Sequence, residues 1–462
     1  MRLGPATTLN DVYKTVSPEP LMDDVRFEAF YFEGLNDVRG GDRIAHLVLG
    51  LQRGFGGVPF KRFVMGHSGV GKTTELSRLC REVDDRFQVI RFAAISELDP
   101  GSFRPFDVVL LMLARLGEET QRVVGIEPSP AMQQAIVEWF ATEIETESTQ
   151  TKAEVEASAG AGVQGGSLWS GILGLFAGVR GGIKYVSERD VKTIQYRFAR
   201  LSQLVELVNR LLDECNRLLR QASNKEWLFL GDDFDKPGIP AERIEDLFLN
   251  YANIFTELNC HLIFNVPIEL AYSEKGRELP YPCECIPDTP VFRRDHSAHA
   301  EGREALQAVL AARLNLSLFD EGVADRLIVT SGVNLRDLFL LVSEAADNAI
   351  LRPKFNERIE AEDADAAINN LRTEYMRSLG QSAYDAAKIT YPEKAERLVS
   401  IYEDKPGSQI PDHILHSLLR ARAVQEFDGE RWFGVHPLVV DILSRDGTLK
   451  SEVGGKIRGG VD

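Results

Sequence analysis

Cysteine is scarce in this chain, with five in 462 residues. Cys80, Cys215, Cys260, Cys283 and Cys285 are an odd set, and Cys283-x-Cys285 has no second pair to complete a zinc site. Free thiols in a reducing cytosol are therefore expected. Positive charge is also short, since 53 Lys and Arg stand against 70 Asp and Glu, a formal net charge of −17. Bulk electrostatics of that sign repel nucleic acid and leave only a local basic patch as a route to it. The first residues show no charged-then-apolar leader, which predicts a cytoplasmic rather than a secreted chain. A long charge-free run occurs at Ala157 to Val179, within a Gly-rich apolar stretch at 157–183. Its strongly apolar part is only Leu168 to Val179, and its glycines weaken both helix formation and insertion. What remains is ordinary soluble composition, 44% hydrophobic and 27% charged, with room for two to four domains.

Against that background one segment is specific. Gly66-His67-Ser68-Gly69-Val70-Gly71-Lys72-Thr73 fits the phosphate-loop pattern G-x-x-x-x-G-K-[ST] at every fixed position. Glycines let the backbone curl so that successive N–H groups face a β-phosphate, and the following helix presents its positive end to the same anion. Lys72 is the residue that reaches the β- and γ-phosphates, and the Thr73 hydroxyl is the Mg²⁺ ligand. The context agrees: Phe63-Val64-Met65 is a short strand-like run before the loop, and Lys72 onward, with Thr74 in its first turn, reads as an amphipathic helix.

Around this loop the chain alternates. A polar, proline-bearing lead-in covers 1–40, and Asp42 to Leu51 reads as a helix. A strand is expected at Phe87 to Ile95 and a helix from Phe106 to Leu116. That alternation predicts a parallel sheet with helices on both faces. An insertion at about 120–195, acidic first and then Gly-rich, interrupts it. The insertion reads as a self-packing element, an oligomer contact through small-xxx-small spacing, or a membrane contact through 168–179. Apolar residues from Phe198 to Leu219 then recur at spacings of three and four, a long amphipathic helix with no chemistry to assign.

Trp227-Leu228-Phe229-Leu230-Gly231-Asp232-Asp233-Phe234-Asp235 is a buried-type strand ending in acids. A phosphate-loop site needs one carboxylate to hold Mg²⁺ and another to polarise the attacking water. Asp232 takes the first role and Asp233 the second, with Asp235 as its competitor. A helix from Glu242 to Leu258 leads to the strand His261 to Asn265. Asn265 is placed either to touch the γ-phosphate or the water, or simply to start a turn.

In this order of motifs the chain resembles the AAA+ and STAND ATPases, and Leu228 to Lys236 also resembles the KAP group. The resemblance implies ATP and Mg²⁺ as ligands, an impression that the absence of an Asn-Lys-x-Asp guanine-reading motif reinforces. It implies that Asn334-Leu335-Arg336 opens the sensor-2 helix of a lid, with Arg336 swinging onto the γ-phosphate. Helix, Val424 to Phe427, the Asp428-Gly429 turn and Trp432 to Val435 resemble a winged helix. The implied fold is a three-layer α/β parallel-sheet core at 41–295, a helical lid at 296–380, a winged-helix-like domain at 381–446 and a tail at 447–462. The implied function is an ATP-hydrolysing switch, of a kind used in bacterial regulation or defence, that forms homo-oligomers or engages a protein partner on binding ATP. A finger arginine from an adjacent subunit would then be Arg293 or Arg294, with Arg277 behind them. Gly231 and Asp233 depart from the pattern, where an apolar residue and Glu are usual. The rivals are a DNA-handling ATPase, a membrane-associated NTPase and a scaffold with negligible turnover.

Overall fold

The computed structural model describes residues 3–126, 194–236, 238–332, 334–352, 357–382, 388–427 and 432–449, together with Asp385 and single positions between 129 and 139. The Gly-rich stretch 157–183 and the Asp428-Gly429 turn lie outside these residues.

Five strands form one sheet: β1 (Lys61–Met65), β2 (Phe87–Ala93), β3 (Glu226–Asp232), β4 (His261–Asn265) and β5 (Cys283–Cys285). Their order is β2-β3-β4-β1-β5 and every pairing is parallel. A sheet covered on both faces needs apolar residues on both sides of each strand. β3 supplies them by simple alternation. Leu228 and Leu230 join one buried cluster with α1 (Arg43–Gly54) and α2 (Lys72–Glu82). Trp227 and Phe229 join the other cluster, with α3 (Pro105–Val124) and α4 (Ile194–Ser223). The fold is thus the expected three-layer α/β arrangement.

Two segments differ from expectation. The helix over 242–258 is broken into Ala241–Glu245, a π-helical turn at Asp246–Asn250 and Ala252–Glu257. The strand-like run Thr289 to Phe292 is not a ladder strand; the fifth strand is instead the three-residue β5, which the sequence does not advertise.

Beyond the sheet come α5 (Ala300–Ala311), α6 (Val323–Thr330), α7 (Leu335–Leu351) and α8 (Ala361–Ser378), then α9 (Tyr391–Tyr402) and α10 (His413–Arg420). The hairpin β6 (Val424–Phe427) and β7 (Trp432–Val435) is antiparallel, with α11 (Pro437–Arg445) after it. The first 40 residues are more than a polar lead-in. Val12, Val16, Phe30 and Leu35 are buried, the Val16 carbonyl accepts from Ser343 Oγ of α7 at 2.9 Å, and Ala6 exchanges backbone hydrogen bonds with Arg313 and Asn315 at 2.8 Å each. Among the described residues no helix is long and apolar enough to cross a membrane.

Candidate functional site

β1 ends at Met65, and the loop from Gly66 turns the chain into α2 at Lys72. Two glycines are required by conformation. Gly71 caps α2 at φ +105°, and Gly69 sits at φ +92° where a Cβ would strike the Asn334 carboxamide and the Arg336 β-carbon. Lys72 is 6% exposed. Its ammonium donates to the carbonyls of Gly66 at 2.7 Å and His67 at 2.8 Å and pairs with Asp235 Oδ2 at 2.7 Å. The lysine therefore lies inside the curl of the loop, where the motif requires it. Thr73 follows it, and the Thr74 hydroxyl accepts from the Leu21 backbone N–H at 3.1 Å and so anchors the N-terminal segment.

The loop is gripped from two distant parts of the chain. From α7, Asn334 Nδ2 donates to the Ser68 carbonyl at 2.7 Å and Arg336 Nη1 to Ser68 Oγ at 2.9 Å. Asn334 also caps α7 through the Asp337 N–H at 3.3 Å, so one side chain fixes both the helix start and the loop. From the N-terminal segment, buried Arg39 donates to the Val70 carbonyl at 3.1 Å and to Thr289 Oγ1 at 2.8 Å. Behind the loop, His67 is buried with a ring nitrogen 3.8 Å from Asp288, which is fully buried. Burial and the Lys72 charge pull the His67 pKa down to about 3, so its ring is neutral at ordinary pH. Burial pushes Asp288 up to about 8, against the attraction of Arg39.

The acids follow β3. Asp232 Oδ2 pairs with Arg91 Nη2 at 2.9 Å, and its Oδ1 accepts the Asp233 N–H at 2.9 Å. Asp233 takes the left-handed conformation, φ +66°, which swings the chain off the strand. Burial, with Asp232 alongside, raises its pKa, while Lys236 lies 3.5 Å away. Asp235 is committed to Lys72. Asn265 is fully buried, neither atom of its amide is hydrogen-bonded, and it does not line the cavity below.

A cavity of about 830 Å³ collects these groups. Ser68 to Thr74 form its floor, and Arg91, Asp232, Asp233, Asp235 and Arg336 stand around it. Much of its remaining wall is the N-terminal segment, including Pro20, Leu21, Tyr31, Phe32 and Leu35, with Phe92, Val309, Arg313 and Phe339 beside it. Sequence reading missed this wall; the Phe30-Tyr31-Phe32 run was its only signal. Gly66 and His67 line a second cavity of about 560 Å³ between the loop and α10, which shares Ser68, Asp235, Lys236 and Arg336 with the first. Arg293 and Arg294 lie outside both cavities, exposed and paired with Glu301 and Asp404. Arg277 is also exposed, in the short turn Glu274–Glu278.

The residues fit a bound nucleoside triphosphate. The backbone curl, an ammonium inside it and a Thr/Asp pair of hard oxygen donors are what phosphates and Mg²⁺ require. No family model matches the chain, and no curated protein matches it. Among solved structures, a Walker-type ATPase of Pyrococcus abyssi is similar over 93% of this chain and 99% of its own, at 12% identity and a TM-score of 0.40. That likeness carries nothing about chemistry; the parallel sheet and the geometry of the loop do.

Proposed function

We propose that this chain binds ATP with Mg²⁺ in the 830 Å³ cavity, hydrolyses it, and uses the nucleotide state to control self-association or engagement of a protein partner. The observation that carries the reading is the convergence of Lys72, Asn334 and Arg336 on one phosphate loop. Groups from the sheet and from α7 would meet the same anion, so a change in the anion changes how the two parts sit.

Each residue has a role under this reading. The loop N–H groups and Lys72 cradle the β- and γ-phosphates. Thr73 and Asp232 would hold Mg²⁺, which neutralises phosphate charge. Asp233 orients the attacking water. Its raised pKa moves it toward a working base, whereas Asp235 is already occupied by Lys72. Arg336 neutralises charge that develops on the transferred group. The apolar and aromatic wall of the N-terminal segment suits a base. Adenine is favoured by the resemblance rather than by a contact. The DNA-handling alternative gains no observation, because α10 turns Leu415, Leu418 and Leu419 into the core and His416 and Arg420 toward the second cavity.

The test is equilibrium binding of ATP and GTP, with phosphate release, for the wild type and for Lys72→Ala, Asp233→Asn and Asp235→Asn. Lys72→Ala should lose ATP binding. Asp233→Asn should keep binding and lose turnover by roughly 10²–10⁴-fold, the usual worth of a general base. Asp235→Asn should change affinity first. Wild-type protein that binds no ATP refutes the reading, and Asp235→Asn behaving as described for Asp233→Asn reassigns the water-orienting role.

A further inference from the structure

We infer that Arg91 is a built-in counter-cation at the metal position, which lowers the dependence of nucleotide binding on Mg²⁺. The inference rests on the ATP and Mg²⁺ reading above. β2 is an edge strand of apolar character, Phe87-Gln88-Val89-Ile90-Arg91-Phe92-Ala93, so an arginine within it needs a reason. The register sets Ala93 beside Asp232 and Arg91 beside Leu230, which points the Arg91 side chain toward α2. There its guanidinium makes three contacts. Nη2 reaches Asp232 Oδ2 at 2.9 Å and the Thr73 carbonyl at 3.3 Å, and Nη1 reaches Ser77 Oγ at 3.0 Å. The group lines the nucleotide cavity while being only 21% exposed.

Arg91 thus touches both residues assigned to the metal, Asp232 through its carboxylate and Thr73 through its backbone carbonyl. Asp232 has one oxygen on Arg91 and the other on the Asp233 N–H, which fixes its orientation. Each carboxylate oxygen still has a lone pair for a metal-bound water. Two consequences oppose each other. Fixing Asp232 favours the metal by sparing a rotamer, while a guanidinium sharing the same carboxylate repels a divalent cation. At such short range the repulsion is the larger effect, because a doubly charged ion feels it twice over and the side-chain entropy saved is small. Arg91 therefore weakens Mg²⁺ binding and supplies part of its charge when the metal is scarce.

The experiment is a Mg²⁺ titration of the binding of a fluorescent ribose-labelled ATP analogue to the full chain. Wild type is compared with Arg91→Gln and Arg91→Met, both long enough to fill the space, and Arg91→Lys is the charge-keeping control. Thermal melting selects variants that fold as wild type does. The Mg²⁺ concentration for half-maximal binding should fall by about tenfold in the neutral variants and stay near wild type in Arg91→Lys. The ratio of affinities with and without Mg²⁺ should rise by a similar factor. An unchanged or higher midpoint in a folded neutral variant overturns the inference and leaves the ATP reading standing. Wild type that binds no analogue at any Mg²⁺ concentration removes both.

Discussion

At the scale of single residues, the least expected group is Asp288. It is fully buried, and neither carboxylate oxygen is hydrogen-bonded. Its pKa of about 8 lies far above the ordinary 3.8. The unfolded chain therefore loses this proton near pH 4, while the folded chain keeps it until about pH 8. Across that window the folded state binds more protons, so stability falls as pH rises and levels off above about 8. Asp288→Asn removes the fall. The variant should melt above wild type at pH 8.5, by on the order of 5 °C, with the gap closing toward pH 4.5. Melting curves at the two pH values check this, and a gap that does not depend on pH would refute it. The residue scale also shows what sequence can carry. Lys72, Thr73, Asp232 and Asp233 are legible because chemistry fixes their spacing within one short motif. Arg39, Arg91 and Asp288 are not, because the first two act on groups 14 to 250 residues away and the third is defined only by its burial.

Elements tell a parallel story through α7. Its start is set by Asn334, which caps the helix and holds the phosphate loop through the Ser68 carbonyl. Loss of the cap costs about 1 kcal/mol. Asn334→Ala should therefore lower stability by about that amount and weaken ATP binding by a larger factor than Leu340→Ala, a change at an exposed position on the same helix. Calorimetric titration of both variants decides it, and equal affinities would show that the loop does not depend on α7. The helix itself was legible from its cap and its apolar period. Less legible were the break at Asp246–Asn250 and the three-residue β5. A π-turn leaves the apolar pattern of a helix almost intact. A strand as short as β5 carries too few residues for a period, and its place comes from pairing with β1.

For the whole molecule, the C-terminal part is tied to the same site. Arg422 donates to Asp337 Oδ1 at 2.9 Å, and Tyr375 donates to Asp337 Oδ2 at 2.8 Å. His436 stacks on Tyr375 with ring centroids 4.2 Å apart. Asp337 lies one residue beyond Arg336, so α8, α10 and the hairpin are bolted to the helix that touches the loop. Nucleotide state should then reach surfaces far from the cavity, including exposed Arg293 and Arg294. The mass distribution of Asp233→Asn should shift to larger assemblies with Mg-ATP and remain unshifted with ADP or no nucleotide. An unchanged monomer that binds ATP would sink self-association and move weight to a partner.

The contact between Ala6 and the segment Arg313 to Asn315 has a consequence for how the protein is made. Ala6 is made some three hundred residues before its backbone partners Arg313 and Asn315 leave the ribosome. At ordinary rates of synthesis that delay is on the order of half a minute. Through that interval the N-terminal cover has only its contacts with the loop and α2, Leu21 on Thr74 and Arg39 on Val70, and lacks its tie to Arg313 and Asn315. A nascent chain of this protein can pair β1 only once β4 and β5 have been made, and its cavity is completed later still, when α7 brings Arg336 to the loop.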